Sequence, residues 1–208
     1  MRDMQRGFSL VELAVVLVII GLLLGGMLMP LASQMERERR EETQATLETI
    51  REALIGYALI NRRLPCPDSN GDGLDNDACP SAANRMRVGA LPHASLGVSA
   101  TDAWGNPWRY AVNGAFTTTF TLATAGSGNG RIQATDAANC GGTLYGDNVP
   151  ALVRSDGKTR NAGALEQENR DSDRCFVASD YQPAFDDLVV WVPATTLFSR
   201  MVAGGQLP

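Results

Sequence analysis

Histidine is all but missing from this chain: His93, in GALPHASLG, is the only one. A lone histidine beside proline in a loop reads as a surface residue rather than a catalytic base. The sequence contains no G-x-S-x-G, no H-E-x-x-H and no phosphate-binding glycine loop. GSGNG at 126–130 has no lysine after it and reads as flexible linker. Carboxylates are plentiful, but their spacing assigns no acid–base pair. These absences point away from an enzyme. A basic surplus is lacking too: the net charge is −5 and the pI is near 4.9, which excludes the positive footprint that nucleic acid requires. None of the four cysteines lies in a tight C-x2-C pair, which speaks against a tetrahedral zinc site. What remains is 208 residues of ordinary globular composition, 44% apolar and 20% charged, enough for one folded domain and an additional segment.

The additional segment is at the N-terminus. From Phe8 to Ala32 the only charged residue is Glu12. At ~1.5 Å per residue, a helix over these positions would span roughly 37 Å, sufficient to cross a bilayer with some tilt. Arg2 and Arg6 precede the run, and the positive-inside rule places them in the cytoplasm and the rest of the chain in the periplasm or outside the cell. A cleaved secretory signal would have a shorter apolar core and an A-x-A-like site; here the run continues into PLASQMERERREE, which reads as more helix. A plain signal anchor accounts for the length and the arginines but not for Glu12. A charge in hydrocarbon costs about 2.5–3.5 kcal/mol on insertion scales. Snorkelling of Glu12 to the interface is the bland alternative.

RGFSLVELAVVLVIIG, residues 6–21, resembles the N-terminus of type IV prepilins and the related pseudopilins. In that family a short basic leader ends in glycine. A membrane aspartyl peptidase cuts after it on the cytoplasmic side and methylates the new first residue. The resemblance implies that Gly7 closes the leader and that Phe8 becomes the methylated N-terminus. It implies that Glu12 pairs with the N-terminal ammonium of a neighbouring subunit during assembly. Residues 1–7 are then the leader, 8–32 a transmembrane and filament-core helix, 33–61 its amphipathic continuation, and 62–208 a periplasmic or extracellular head. The implied partners are prepilin peptidase, other pilin or pseudopilin subunits, the inner-membrane assembly platform and the membrane itself. The implied location is the inner membrane, single-pass, and afterwards a pilus or pseudopilus, with the cell surface as an end point. A minor pilin of a type IV pilus is the first expectation, because the chain is long and loop-rich. A type II secretion pseudopilin is the second. From another class, the alternative is a signal-anchored periplasmic enzyme or binding protein that uses this N-terminus only as an anchor.

Beyond the apolar run, Pro30 predicts a kink, and QMERERREETQ reads as a solvated charged stretch. Leu47, Ile50, Leu54, Tyr57 and Ala58 recur at helical spacing and mark one apolar face suited to a sheet. Pro65 and Pro67 prevent the helix from continuing past Asn61. Strand-like stretches are Trp108–Val112, Ala115–Ala123, Ala151–Val153 and Asp187–Pro193, with Phe116, Phe120 and Leu122 expected on one face of the second. The expected fold is α+β and pilin-like: a long N-terminal α-helix packed against an antiparallel β-sheet with disulfide-bounded loops. DAWGNPWRY, from Asp102 to Tyr110, resembles the D-x-W-G-N-P-x-x-Y segment of major pseudopilins and some pilins. Physically it is a Gly105–Asn106–Pro107 turn anchored on the core by Trp104, Trp108 and Tyr110, a structural role.

With export implied by the N-terminus, Cys66, Cys79, Cys140 and Cys175 read as two disulfides. Three connectivities are open. In the pairing Cys66–Cys79 with Cys140–Cys175, each bridge brackets one loop-rich stretch. Four reduced thiols are the alternative. Between the first two cysteines, CPDSNGDGLDNDAC contains D-x-N-x-D-G as Asp68, Asn70, Asp72 and Gly73, the spacing of a calcium loop. The Leu74 carbonyl would be the next ligand. The position of the bidentate acid is Cys79, so Asp75 or Asp77 would have to serve instead. A polar turn without an ion is the competing reading. Ca2+ is the one cofactor the sequence suggests. From Ala125 to Arg174 the chain reads as loops, with Cys140 and Cys175 tying the ends.

Overall fold

The computed structural model describes residues 9–76, 79, 86–134, 140–159, 163–171 and 173–207, with backbone alone for 24–31. The chain divides after Glu41 into two compact units. The first is the N-terminal part of helix α1, which runs Leu10–Asn61 and stays helical through Pro30. Leu10, Val11, Leu13, Leu17, Val18, Leu22 and Leu23 are exposed there. Among the described residues, no helix is long and apolar enough to cross a membrane.

The second unit starts at Glu42, so the head takes the last turns of α1 into its core. Leu47, Ile50, Leu54, Ile55 and Ala58 are buried on one helix face. They meet Tyr110, Val112, Ala151, Val153, Val190 and Val192. These come from a four-stranded antiparallel sheet ordered β1-β2-β5-β7, with β1 Met86–Ala90, β2 Arg109–Asn113, β5 Ala151–Ser155 and β7 Leu188–Val192. Three of the four expected strands are β2, β5 and β7. Side chains alternate faces along a strand, and here both faces are covered. Ala111, Leu152, Val189 and Trp191 point away from α1, into a second cluster with Met86, Ile132, Val149 and Phe176.

That second cluster sits under a three-stranded sheet ordered β4-β3-β6, with β3 Gly130–Gln133, β4 Leu144–Val149 and β6 Cys175–Val177. β3 pairs antiparallel with β4 and parallel with β6. The head therefore has three layers: helix, sheet, sheet. Much of the stretch expected as loops between Ala125 and Arg174 is this outer layer and the short helix α3, Ala164–Glu168. Helix α4, Ala194–Ala203, closes the end of the main core through Leu197, Phe198 and Met201. A short helix α2, His93–Leu96, precedes Gly97, which is in the left-handed region at φ 68°.

The strand expected over Ala115–Ala123 is absent. Two 3-10 turns, Gly114–Phe116 and Leu122–Gly126, take its place. Local hydrogen bonds decide this: Asn113 Oδ1 accepts from Ala115 N at 2.8 Å, and the Thr117 hydroxyl donates to Gly114 O at 2.9 Å. Ser, Thr and Asn side chains offer the backbone an alternative to a ladder, and here they prevail. Phe116 and Phe120 are both buried, packing edge-to-face with each other and with Phe198, while Leu122 is half-exposed.

Candidate functional site

Helix α1 opens with a reciprocal cap. Ser9 N donates to Glu12 Oε2 at 2.8 Å, and Glu12 N donates to Ser9 Oγ at 3.2 Å. This is a capping box, in which two orphan N–H groups of the first turn are satisfied at once. Its S-x-x-E signature stands in the sequence as Ser9 to Glu12. The carboxylate therefore has a partner in its own chain. Gly7 and Phe8 lie outside the described residues.

The loop after α1 is held by one carboxylate. Asp75 accepts the Tyr57 hydroxyl and an Arg63 guanidinium N–H at Oδ2, both at 2.5 Å, and Cys66 N at Oδ1 at 2.6 Å. The Asp75 side chain is 7% exposed, and although burial of Arg63 opposes it, this carboxylate raises Arg63 above its ordinary value. The D-x-N-x-D-G residues bond among themselves. Asp68 accepts from the N–H groups of Asn70, Gly71 and Gly73, Asn70 Oδ1 from Asp72 N, and Asp72 Oδ1 from Leu74 N. Burial pulls the Asp68 carboxyl upward, but those three N–H donors hold it below its usual range. Gly71 and Gly73 have φ of 83° and 74°, which only glycine adopts without strain. The candidate ligands Asp68, Asn70, Asp72 and Leu74 thus share one tight loop, and Asp75 turns away from them to α1. Asp77 lies outside the described residues.

Of the two expected disulfides, Cys140–Cys175 is formed, across a separation of 35 residues. It joins the outer sheet's β6 to the segment before β4. Cys66 and Cys79, the other expected pair, are free thiols in this structure. They are neighbours nonetheless, hydrogen-bonded to each other. That bond draws the Cys79 thiol down to about 7 against the opposing effect of burial, and it pushes the Cys66 thiol well up.

Asp102 organises the DAWGNPWRY turn. Its Oδ1 accepts from Trp104 N and Asn106 N, and its Oδ2 accepts the Ser155 hydroxyl at 2.6 Å. Asn106 Nδ2 donates to Gly157 O at 2.5 Å. Trp108 Nε1 donates to Ser99 O, and the Tyr110 hydroxyl to Pro65 O at 3.0 Å. Every polar atom named here serves the packing of β2 against its neighbours, as a structural turn requires.

Next to this turn is a buried ionic cluster. Arg154 is 4% exposed; it reaches Asp156 at 3.0 Å and Asp187 at 3.5 Å and donates to Asn169 O. Arg170 lies 3.7 Å from both Glu166 and Asp187. Glu166, Asp186 and Asp187 bring carboxylate oxygens within 4.8 Å of one another, close enough to chelate a cation, but the two guanidiniums supply positive charge to the same space. Burial pushes the Asp187 carboxyl up to about 7 despite the pull of Arg154 and Arg170. Burial also lowers Arg154. No spacing in the sequence announces this cluster, because the pairings are made by the fold between β5, α3 and the start of β7.

Residues 2–28 match the family model described as the prokaryotic N-terminal methylation motif. The chain is 30% identical over 119 residues to type II secretion system core protein G of Aeromonas hydrophila, covering 54% of this chain and 76% of that protein. It is 30% identical over 108 residues to core protein G of Escherichia coli strain K12, covering 51% and 71%. Core protein G of Pseudomonas aeruginosa is 28% identical over 115 residues, covering 54% and 78%. The chain belongs to the type IV pilin-like family that includes the type II secretion pseudopilins. No solved structure matches it. The Ser9–Glu12 cap lies inside the stretch that the methylation motif covers, and the α+β head is the expected fold. The matches cover about half of this chain, so its head carries residues beyond those shared with the three relatives.

Proposed function

We propose that this chain is a subunit of a type II secretion pseudopilus. The supporting observation is the extent of the match. The methylation motif is common to pilins and pseudopilins, but similarity to core protein G runs over 119 residues, far past residues 2–28 and into the head. That reverses the order of the first two expectations, with the minor pilin now second.

On this reading prepilin peptidase cuts after Gly7 and methylates Phe8. The subunit waits in the inner membrane, held by the apolar part of α1 with its head in the periplasm. An assembly platform then inserts it among other pseudopilins. Glu12 acts twice. In the single subunit it caps α1 through Ser9. In the filament it neutralises the ammonium of a neighbour's Phe8, and its charge selects register, since removing one partner of a buried ion pair costs about 3–5 kcal/mol. The subunit is structural and has no catalytic role.

Two substitutions separate the two roles. Glu12→Gln keeps the capping box, which accepts Gln as well as Glu, and removes the charge. Glu12→Ala removes both. Both variants are expected to insert in the membrane and be processed, and both to be missing from sheared or cross-linked filaments. Incorporation of Glu12→Gln at the wild-type level would reject the ion pair. Mass spectrometry of the mature chain should find N-methyl-Phe8; an intact Met1 or a cut near Ala32 would instead support the signal-anchored alternative. Deletion should abolish protein export across the outer membrane and spare surface pili. Loss of pili with normal export would assign the chain to a type IV pilus.

A further inference from the structure

Cys66 and Cys79 are left over by the functions described so far. Both line one cavity, so the two side chains are already neighbours. The loop between them is set by contacts that do not involve sulfur. Asp75 holds Cys66 N and the end of α1, and Asn76 Oδ1 accepts from both Ser69 N and the Ser69 hydroxyl. These contacts hold residues 66–76 of the loop in place in the dithiol state. The two sulfurs differ in access: Cys66 is 1% exposed and Cys79 is half-buried. A cavity of about 170 Å3 adjoins them, lined by both cysteines with Pro67, Arg87 and Val88.

We propose that Cys66 and Cys79 form a thiol–disulfide exchange site that closes to a second disulfide, with Cys79 attacking and Cys66 resolving. The co-reactant is a disulfide-bearing oxidant of the exported compartment. The Cys79 thiolate attacks one sulfur of that disulfide. Its S–S bond breaks, and one thiolate leaves with the bonding electron pair, giving a mixed disulfide on Cys79. Cys66 then loses its proton to solvent and attacks Cys79 Sγ. The Cys66–Cys79 bond forms as the second thiolate departs. The chain has lost two electrons and two protons, and the oxidant's disulfide has become two thiols. Closure fixes the 66–79 loop on the end of α1 before the subunit is assembled. The proposal rests on export of the head, as in the function proposed above.

The test uses the full chain, expressed with its leader, extracted from membranes in detergent with an alkylating agent and no reductant, then digested with trypsin. Both cysteines fall in one peptide, 64–85, while Cys140 and Cys175 fall in 132–154 and 175–200. The expected result is peptide 64–85 unalkylated and about 2 Da lighter than its dithiol form, together with 132–154 linked to 175–200. Doubly alkylated 64–85 beside the linked pair overturns the proposal and leaves export standing. Loss of both bridges overturns the export reading on which it rests. For the order of attack, the reduced folded chain is treated with limiting iodoacetamide at neutral pH. Cys79 should react at least ~10-fold faster than Cys66. Equal rates, or the reverse order, overturn the assigned roles.

Discussion

Replacing Arg154 by Met tests whether the buried ionic cluster is a stabilising network or an arrangement that any well-packed side chain could replace. Met is close in length and keeps the packing of the stem. What disappears is a guanidinium 3.0 Å from Asp156 and 3.5 Å from Asp187, together with the donor to Asn169 O. Breaking one partner out of a buried pair costs about 3–5 kcal/mol. Arg170 remains 3.7 Å from Asp187 and 4.0 Å from Asp156, which argues for the lower end, about 3 kcal/mol. For a domain of this size each kcal/mol shifts Tm by about 2–4 °C, so the expected drop is about 6–12 °C. The assay is thermal unfolding of the detergent-solubilised chain by circular dichroism, at about pH 5 and about pH 8. Two companion outcomes follow from the geometry. The deficit should shrink at the lower pH, where Asp187 is protonated and no longer needs a cation. Arg154→Met/Asp187→Asn should recover roughly half of the loss, because it removes the stranded charge. A drop below about 2 °C in the single variant, a deficit that grows toward pH 5, or a double variant no better than the single would each refute the reasoning.

Asp187 alone should leave a signature in the wild type. Its carboxyl is raised to about 7 from an ordinary 3.8, so between those values the native state holds a proton that the unfolded chain has released. Stability therefore falls as pH rises through that window, and the fall should vanish from the curve of Asp187→Asn. Asp75→Asn keeps an acceptor for Cys66 N but loses the charge that holds Arg63; the expected cost is about 1–3 kcal/mol by chemical denaturation, and no cost would show that the loop is held by other contacts. The oxygens of Asp68, Asn70 and Asp72 already accept the loop's own N–H groups, so about 2 mM calcium is expected to move Tm by less than about 1 °C. A rise of several degrees, reversed by chelator, would show that the ion recruits these oxygens. Leu54→Ala, at the fully buried centre of the helix–sheet contact, should destabilise by about 2–5 kcal/mol.

The parts of the fold that could be read from the sequence are those in which one pattern acts alone. The helical spacing of Leu47, Ile50, Leu54 and Ala58 gave the buried face of α1, and the β-branched run Leu188–Val192 gave β7. FTTTFTLATA misled because two patterns compete there: the alternation suggests a strand, while the hydroxyl and amide side chains of Asn113, Thr117 and Thr124 form local turns. The outer sheet was unreadable because its strands are three to six residues long and interrupted by Gly, Asp and Asn. Its apolar content reduces to Ile132, Val149 and Phe176, each meaningful only against Leu152 and Trp191 across the layer. The N-terminal motif is legible in kind, since Gly7, Phe8 and Glu12 stand in family order, but the cap between Ser9 and Glu12 is masked because the same carboxylate also reads as a charge in an apolar run. Asp75 appeared as a candidate ligand in an acidic run; its actual partners, Tyr57 and Arg63, are 18 and 12 residues away and emerge only when the chain turns back on the helix.

The burial of α1 against the sheet also has a mechanical reading. On the proposed function, a subunit drawn from a membrane into a filament is loaded along its helix axis. Within the head, Leu47, Ile50, Leu54 and Ala58 lie along that axis and contact strands β2, β5 and β7 together. A pull on α1 therefore loads these contacts in shear, side by side, and the rows must slip at once. They do not peel one after another. The Asp75 anchor at the helix end adds a polar stop to the same joint. A head built this way is expected to resist a pull along α1 more than one applied across it, which force spectroscopy in the two geometries would check.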